Sequence, residues 1–160
     1  MSIQELQAID VHAHYGNMDR GQAQKVLNHC MSGDAETVVS RARTANIEWT
    51  VVSPFLALMP RGGADAIAGN EEAAHVVDAT DGLLQWVVID PLSPATYEQA
   101  RERLGHPNCM EIKIHQEEHC DPIRDHGKRI FEFAAEFDAV ILTHSGEAKS
   151  LSASCGHSTS

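Results

Sequence analysis

Five short apolar segments, separated by stretches with helical features, constrain the fold of this chain more than anything else in its sequence. The segments are rich in Val, Ile and Leu and end in Pro, Gly or polar residues; they span residues 8–16, 48–58, 83–91, 109–116 and 138–147. Short apolar runs bounded in this way are typical of buried strands. Parallel neighbours in a sheet need helical crossovers. The alternation therefore predicts an α/β protein with about five βα units of parallel sheet.

The intervening stretches carry helix start signals. Asp34 is a suitable N-cap, Asn70 precedes two glutamates in a first turn, and Ser93 is followed by a proline at the first helical position. Residues 121–137 open with Asp-Pro, and residues 18–31 read as an extra loop plus a short helix. An open doubly wound sheet and a (β/α)8 barrel both fit this order. No glycine-rich fingerprint supports a dinucleotide-binding fold.

Charge and hydropathy narrow the classes of partner. The 160 residues suit one domain, and 12 basic against 23 acidic residues give a net charge of -11. Such a surface repels nucleic acid and anionic lipid. The N-terminus has no signal-peptide pattern and no apolar run is long enough for a membrane span. We therefore expect a cytoplasmic protein that binds neither nucleic acid nor membranes.

Three polar residues at alternating positions of the first apolar segment point to chemistry. Asp10, His12 and His14 in "AIDVHAHYG" share one face of a strand. Such groups are costly in a dry core unless they are paired or bound, and neutral imidazole is a common zinc ligand. The spacing favours metal ligation by His12 and His14 over a structural role. Asp10 either orients a ligand histidine or caps a turn.

Further candidates follow the later strands. His144 comes after "AVIL", and Lys113 and His115 share one face of the fourth segment. Functional residues of parallel α/β folds gather at the carboxyl ends of strands, so in a closed barrel these imidazoles could meet around one ion. The alternative for His144 is a loop hydrogen bond. Lys113 could hold an anionic substrate, bridge two metals if carboxylated, or extend to the rim. The pair Glu117-Glu118 is predicted to be a solvated loop.

Three of these segments together resemble one family. "IDVHAHYG" resembles the first-strand H-x-H motif of the amidohydrolase superfamily, in particular the branch of TIM-barrel enzymes that includes metal-dependent hydrolases and the aminocarboxymuconate-semialdehyde decarboxylase type. "MEIKIHQ" is similar to that branch's fourth-strand G-x-K-I/L-H segment, and "VILTHSGE" to its fifth-strand H-x-G segment. The resemblance implies a partial (β/α)8 TIM barrel over residues 1–149. The serine content and the lack of apolar periodicity of residues 150–160 predict a disordered tail.

The resemblance also implies a site and a reaction. His12, His14 and His144 would bind a divalent metal, usually zinc, and Lys113 and His115 would be catalytic. The expected activity is hydrolysis, in which metal-activated water attacks a C–O or C–N bond of a small molecule. A metal-dependent decarboxylase of the same branch, or an inactive barrel fragment, is the alternative.

The branch carries further metal-site residues beyond its fifth strand. A histidine follows the sixth strand and a metal-binding aspartate follows the eighth, and neither is found in this sequence. We therefore expect a truncated barrel, because a complete one needs about 250 residues. Its open sheet edge would favour pairing with another copy, so the expected partners are a small-molecule substrate and a second copy in a homo-oligomer.

Overall fold

Five parallel strands, hydrogen-bonded in chain order, form the sheet within the described residues. The computed structural model describes residues 6–144. The strands are β1 (Ala8–Tyr15), β2 (Ile47–Pro54), β3 (Leu83–Val88), β4 (Cys109–Ile114) and β5 (Ile141–Thr143). A doubly wound sheet reverses its strand order, whereas a barrel adds each strand beside the last. The predicted α/β fold, a partial (β/α)8 barrel of five strands, is confirmed.

Helices occupy the connections between the strands. Those of the described residues are α1 (Lys25–Met31), α2 (Ala35–Thr44), α3 (Ala66–Ala79), α4 (Pro94–Arg103), α5 (Gln116–His119) and α6 (Ile123–Glu136), with 3-10 turns at Gln22–Gln24 and Phe55–Ala57. Asp34 caps α2 as predicted, by accepting a hydrogen bond from the Thr37 N–H. The third helix begins before the predicted Asn70, because Asp65 caps it. The single turn of α5 was not predicted.

The helices pack against alternate side chains of the strands. Ile112 of β4 lies in one apolar cluster with Tyr97 of α4 and Phe133 of α6, and Val52 of β2 packs with Val39 of α2 in another. Side chains of a strand point alternately to its two faces. The residues between these positions therefore face the concave side of the half-barrel, where the predicted site residues lie.

Two loops extend from the carboxyl ends of the strands. The first loop, residues 17–32, follows β1 and contains α1; it is the predicted extra loop with a short helix. Gly16 and Gly33 close its base through two backbone hydrogen bonds of 2.7 and 3.1 Å. Gly16 has a φ of 101°, which a side chain would strain. The second loop, residues 58–65, leads from the turn after β2 to α3.

Some expectations concern other parts of the chain. The predicted serine-rich tail over residues 150–160 and residues 145–149 of the predicted barrel portion lie outside the described residues. Among residues 6–144, no helix has the length and apolar character needed to cross a membrane.

Gly69 of α3 provides a test of the packing between α3 and the turn Phe55–Ala57. A Cβ at this position would lie 2.6 Å from the backbone nitrogen of Ala57. Alanine normally stabilises a helix by roughly 0.5–1 kcal/mol relative to glycine. Here we expect Gly69→Ala to lower the free energy of unfolding by about 2 kcal/mol, measured by urea denaturation. Gly127→Ala in α6, whose Cβ would meet the flexible Ile123 side chain at 3.1 Å, is the control and should cost less. A stabilised Gly69→Ala protein would contradict this packing.

Candidate active site

The carboxyl ends of β1, β4 and β5 bring four imidazoles and one amine together on the concave face. The ring centroids of His12 and His14 are 5.2 Å apart, and those of His12 and His144 are 6.3 Å apart. His115 stacks on His144 with centroids 4.2 Å apart. Lys113 Nζ lies 3.1 Å from His12 Nε2. Five of the predicted site residues, from three strands, thus form one cluster.

The neighbouring strand β2 orients His14. Its Nδ1 lies 3.0 Å from the carbonyl oxygen of Ser53 and 3.1 Å from the Ser53 hydroxyl. A carbonyl oxygen only accepts, so Nδ1 carries the hydrogen and Nε2 keeps its lone pair. Burial lowers the pKa of His14 to about 4, so the ring is neutral at neutral pH. A histidine held in this way is suited to ligate a metal through Nε2.

Lys113 is the largest fully buried side chain, with 0 % exposure. Burial lowers its pKa to about 8. Burial and then the Lys113 charge lower the pKa of His12, while Asp10 opposes this shift. A neutral His12 accepts a hydrogen bond from the Lys113 ammonium. Among the alternatives for Lys113, extension to the rim is wrong, because the side chain is enclosed on the concave face.

His115 stands at the start of α5. Its Nδ1 accepts a hydrogen bond of 3.4 Å from the backbone N–H of Glu118, which caps this single turn. Burial, followed by the charges of His144 and Lys113, lowers the pKa of His115 to about 2. A neutral ring that accepts at Nδ1 carries its hydrogen on Nε2. His115 therefore has a hydrogen-bond donor available within the cluster.

Asp10 acts on the backbone of β1. Its Oδ1 accepts a hydrogen bond of 3.0 Å from the N–H of His12. The pairing of β1 with β2 shifts register between Asp10 and Ala13. Irregularities of this kind re-aim side chains along a strand. The hydrogen bond between the Asp10 carboxylate and the His12 N–H therefore lies within the irregular part of β1 that carries His12.

Sequence reasoning missed three charged residues near the cluster. Glu118 has a side chain only 2 % exposed and pairs with Arg20 at 2.7 Å and with Arg61 at 3.2 Å. Glu117 pairs with Arg61 at 2.6 Å. The prediction of a solvated Glu117-Glu118 loop is therefore wrong for Glu118, since two guanidinium groups compensate its buried charge. One sequence feature could have indicated these ion pairs. Arg20 and Arg61 both lie in loops that follow the carboxyl ends of strands, as Glu118 does.

The imidazole nitrogens of the cluster are suitable ligands for a divalent metal, but one of them, His12 Nε2, already accepts a hydrogen bond. His14 offers a lone pair fixed from behind by a carbonyl group, and further imidazoles lie beside it in the cluster. Within residues 6–144, no three His, Cys, Asp or Glu side chains are arranged around a common ion position. His12 Nε2 accepts from Lys113 instead. Metal binding by His12 therefore requires exchange of its contact with Lys113.

Known proteins share the fold of this chain. No protein-family model matches the sequence, and no curated protein matches it. A solved structure of 5-carboxyvanillate decarboxylase from Novosphingobium aromaticivorans, with bound manganese and 3-methoxy-4-hydroxy-5-nitrobenzoic acid, superposes with a TM-score of 0.67 and 11% identity. The match covers 89% of this chain and 51% of that one.

A second solved structure, 2,6-dihydroxybenzoate decarboxylase from Rhizobium, superposes with a TM-score of 0.53 and 12% identity over 91% of this chain and 53% of its own. The shared fold is half of a (β/α)8 barrel. The chain spans about half the length of both structures. At this level of identity the likeness establishes architecture.

The buried neutral histidines predict a loss of stability as the pH falls. The pKa values of His14 and His115 are lowered from 6.5 to about 4 and about 2. Between pH 6.5 and 4 the unfolded chain binds protons that the folded state excludes. The free energy of unfolding therefore decreases as the pH is lowered, by up to about 1.4 kcal/mol per pH unit for each histidine. Urea denaturation of the metal-free protein from pH 7 to pH 4.5 measures this slope.

Matched variants assign the slope to these rings. His14→Gln combined with His115→Gln should flatten the pH dependence, whereas His75→Gln on the exposed surface of α3 should leave it unchanged. An undiminished slope in the double variant would show that other groups are responsible.

Proposed function

We propose that this chain carries half of the active site of a metal-dependent decarboxylase of the amidohydrolase type, with a small aromatic carboxylate as substrate. His12, His14 and His144 are the proposed ligands of the metal. The observation that carries the proposal is the meeting of imidazoles from β1 and β5 with a fully buried lysine from β4. Both structural neighbours are named as decarboxylases, which supports this reaction over the hydrolysis expected first.

The metal would be a divalent ion. When bound, it would polarise and orient a carboxylate-bearing substrate. Zinc is the ion expected from the resemblance, and the neighbour with bound manganese supports a divalent ion in general. Metal binding should therefore be measured with both zinc and manganese.

Lys113 is proposed to balance the charge of the substrate carboxylate. Burial is the one cause that shifts its pKa, and no ion pair joins it to a carboxylate within residues 6–144. A buried ammonium without an opposite charge is unfavourable. An anionic substrate supplies that opposite charge.

The two catalytic candidates of β4 suit different parts of a decarboxylation. The reaction replaces a carboxylate with a proton and releases CO2, so the site must supply an acid. Lys113, with a pKa of about 8, is protonated at neutral pH and can release its proton. The Nε2–H of His115 can donate a hydrogen bond that orients the substrate.

Metal binding is the first test of this proposal. The purified protein should bind about one manganese or zinc ion per chain. His12→Ala combined with His14→Ala should weaken binding at least tenfold, measured by calorimetry and elemental analysis. His75→Ala combined with His106→Ala, outside the cluster, is the control. Binding of 2,6-dihydroxybenzoate, measured by calorimetry, should require the ion. Unchanged metal content in the His12 and His14 variant would refute the ligand assignment.

Replacement of Lys113 should have opposite effects on the stability of the protein and on its binding of a carboxylate. Lys113→Met removes a buried ammonium, so we expect the free energy of unfolding to rise by about 2 kcal/mol. The same variant should bind 2,6-dihydroxybenzoate at least tenfold more weakly in calorimetry, because the opposite charge is lost. Lys128→Met, on the exposed face of α6, should change neither property. Tighter binding of the carboxylate by Lys113→Met would contradict the proposed role.

The predicted homo-oligomer through the open sheet edge stays a prediction, with support from the two outer strands. Within residues 6–144, β1 and β5 each pair with one neighbour. Ile9 and Val11 of β1 and Val140 beside β5 are 58%, 52% and 62% exposed. Unpaired edges with apolar side chains favour pairing with another chain.

A further inference from the structure

One buried carboxylate joins the loops that follow β1, β2 and β4. Glu118 Oε1 accepts hydrogen bonds from Arg20 Nη2 at 2.7 Å and from Arg61 Nη2 at 3.2 Å, and Arg61 Nε lies 3.3 Å from Oε2. Arg20 belongs to the first loop and Arg61 to the second. Loops at the carboxyl ends of the strands form the mouth of a barrel. The network therefore lies at the mouth, beside the histidine cluster.

The middle of the first loop has few attachments besides this network. Gly16 and Gly33 fix its base and Met18 near its start is buried, but Val26, Leu27 and Met31 farther along are 80%, 43% and 45% exposed. Among residues 6–144, the ion pair of Arg20 with Glu118 is the one that ties this loop to another element. Loss of the Glu118 charge should therefore release the first loop.

The second loop has further attachments to α5. The N–H of Gly62 donates to the carbonyl oxygen of Glu118 at 2.7 Å. Just before the loop, the carbonyl oxygen of Ala57 accepts a hydrogen bond of 2.9 Å from Nε2 of His119. Arg61 also pairs with Glu117. These bonds do not use the Glu118 carboxylate, so the second loop should stay in place without it.

The same residue touches the histidine cluster through its backbone. The N–H of Glu118 points to Nδ1 of His115, whose ring stacks on His144. We propose that Glu118 is a positioning residue: its carboxylate closes the first loop over the mouth and anchors the turn that holds His115 with its hydrogen on Nε2. This inference goes beyond the proposed function and requires neither metal nor substrate.

The negative charge is essential to this role. A glutamine has the same shape but leaves two guanidinium groups facing a neutral amide, and removing one partner of a buried ion pair is strongly unfavourable. Glu117 provides the contrast, because its side chain is 34% exposed and Arg61 is its one ion-pair partner within residues 6–144. A partly exposed pair of this kind contributes less than a buried one.

The test compares Glu118→Gln with Glu117→Gln in the full chain. Hydrogen exchange read by mass spectrometry should become at least tenfold faster in the first loop of Glu118→Gln, with a smaller change in the second loop. The ring carbon and nitrogen shifts of His115 in NMR spectra should move from the Nε2–H form towards a mixture of tautomers. Glu117→Gln should leave both readouts as in the unchanged protein.

A second pair of variants keeps the test decisive if Glu118→Gln does not fold. Arg20→Gln removes the first-loop side of the network and should speed exchange there while the His115 shifts stay constant. Glu118→Asp retains the charge and should keep the Nε2–H form of His115. Unchanged exchange in Arg20→Gln would overturn the role in loop closure. A folded Glu118→Gln with unaltered His115 shifts, or a Glu118→Asp protein with mixed tautomers, would overturn the role in positioning. Failure of metal binding would leave these readouts unaffected, so the two proposals are tested separately.

Discussion

Curvature of the sheet is the constraint on which the candidate site depends, and the contact between Lys113 and His12 displays it most directly. Strands β1 and β4 are separated by two others, and in a flat sheet they would lie about 14 Å apart. Lys113 Nζ nevertheless lies 3.1 Å from His12 Nε2. The rings of His12 and His144 come from strands still further apart in the sheet, with centroids only 6.3 Å apart. Side chains on the concave face converge because the sheet bends, so the half-barrel alone is sufficient to assemble the cluster.

That convergence opposes stability, and the opposite face of the sheet compensates for it. A fully buried ammonium and two imidazoles with strongly lowered pKa values are unfavourable on the concave face. The apolar clusters between the sheet and its helices, which include Ile112 and Val52, supply the burial that stabilises the fold. Alternation of side chains along each strand thus separates a stabilising face from a functional one.

The sequence predicts the parts of this arrangement that follow from local pattern. Alternating apolar segments indicate the strands, and the two-residue spacing of His12 and His14 indicates their shared face. The role of Glu118 depends instead on two distant loops that reach one carboxylate. Adjacent acidic residues in a loop are usually solvated, and only the folded positions of Arg20 and Arg61 reverse that expectation. The carbonyl group of Ser53 that orients His14 is equally invisible, because the register of β1 against β2 places it there.

The lowered pKa values of His14, His115 and Lys113 support the proposed anionic substrate and the proposed delivery of a proton. His14 and His115, with pKa values of about 4 and about 2, are weak bases at neutral pH. Lys113, with a pKa of about 8, is mainly an acid under the same conditions. Hydrolysis of a neutral ester or amide benefits from a base that removes a proton from water, whereas decarboxylation needs a cation beside the carboxylate and a proton for the carbon it leaves. Under the proposed function, Lys113 of β4 would supply this cation and this proton. This argument rests on burial within the half-barrel and is independent of the likeness to known decarboxylases.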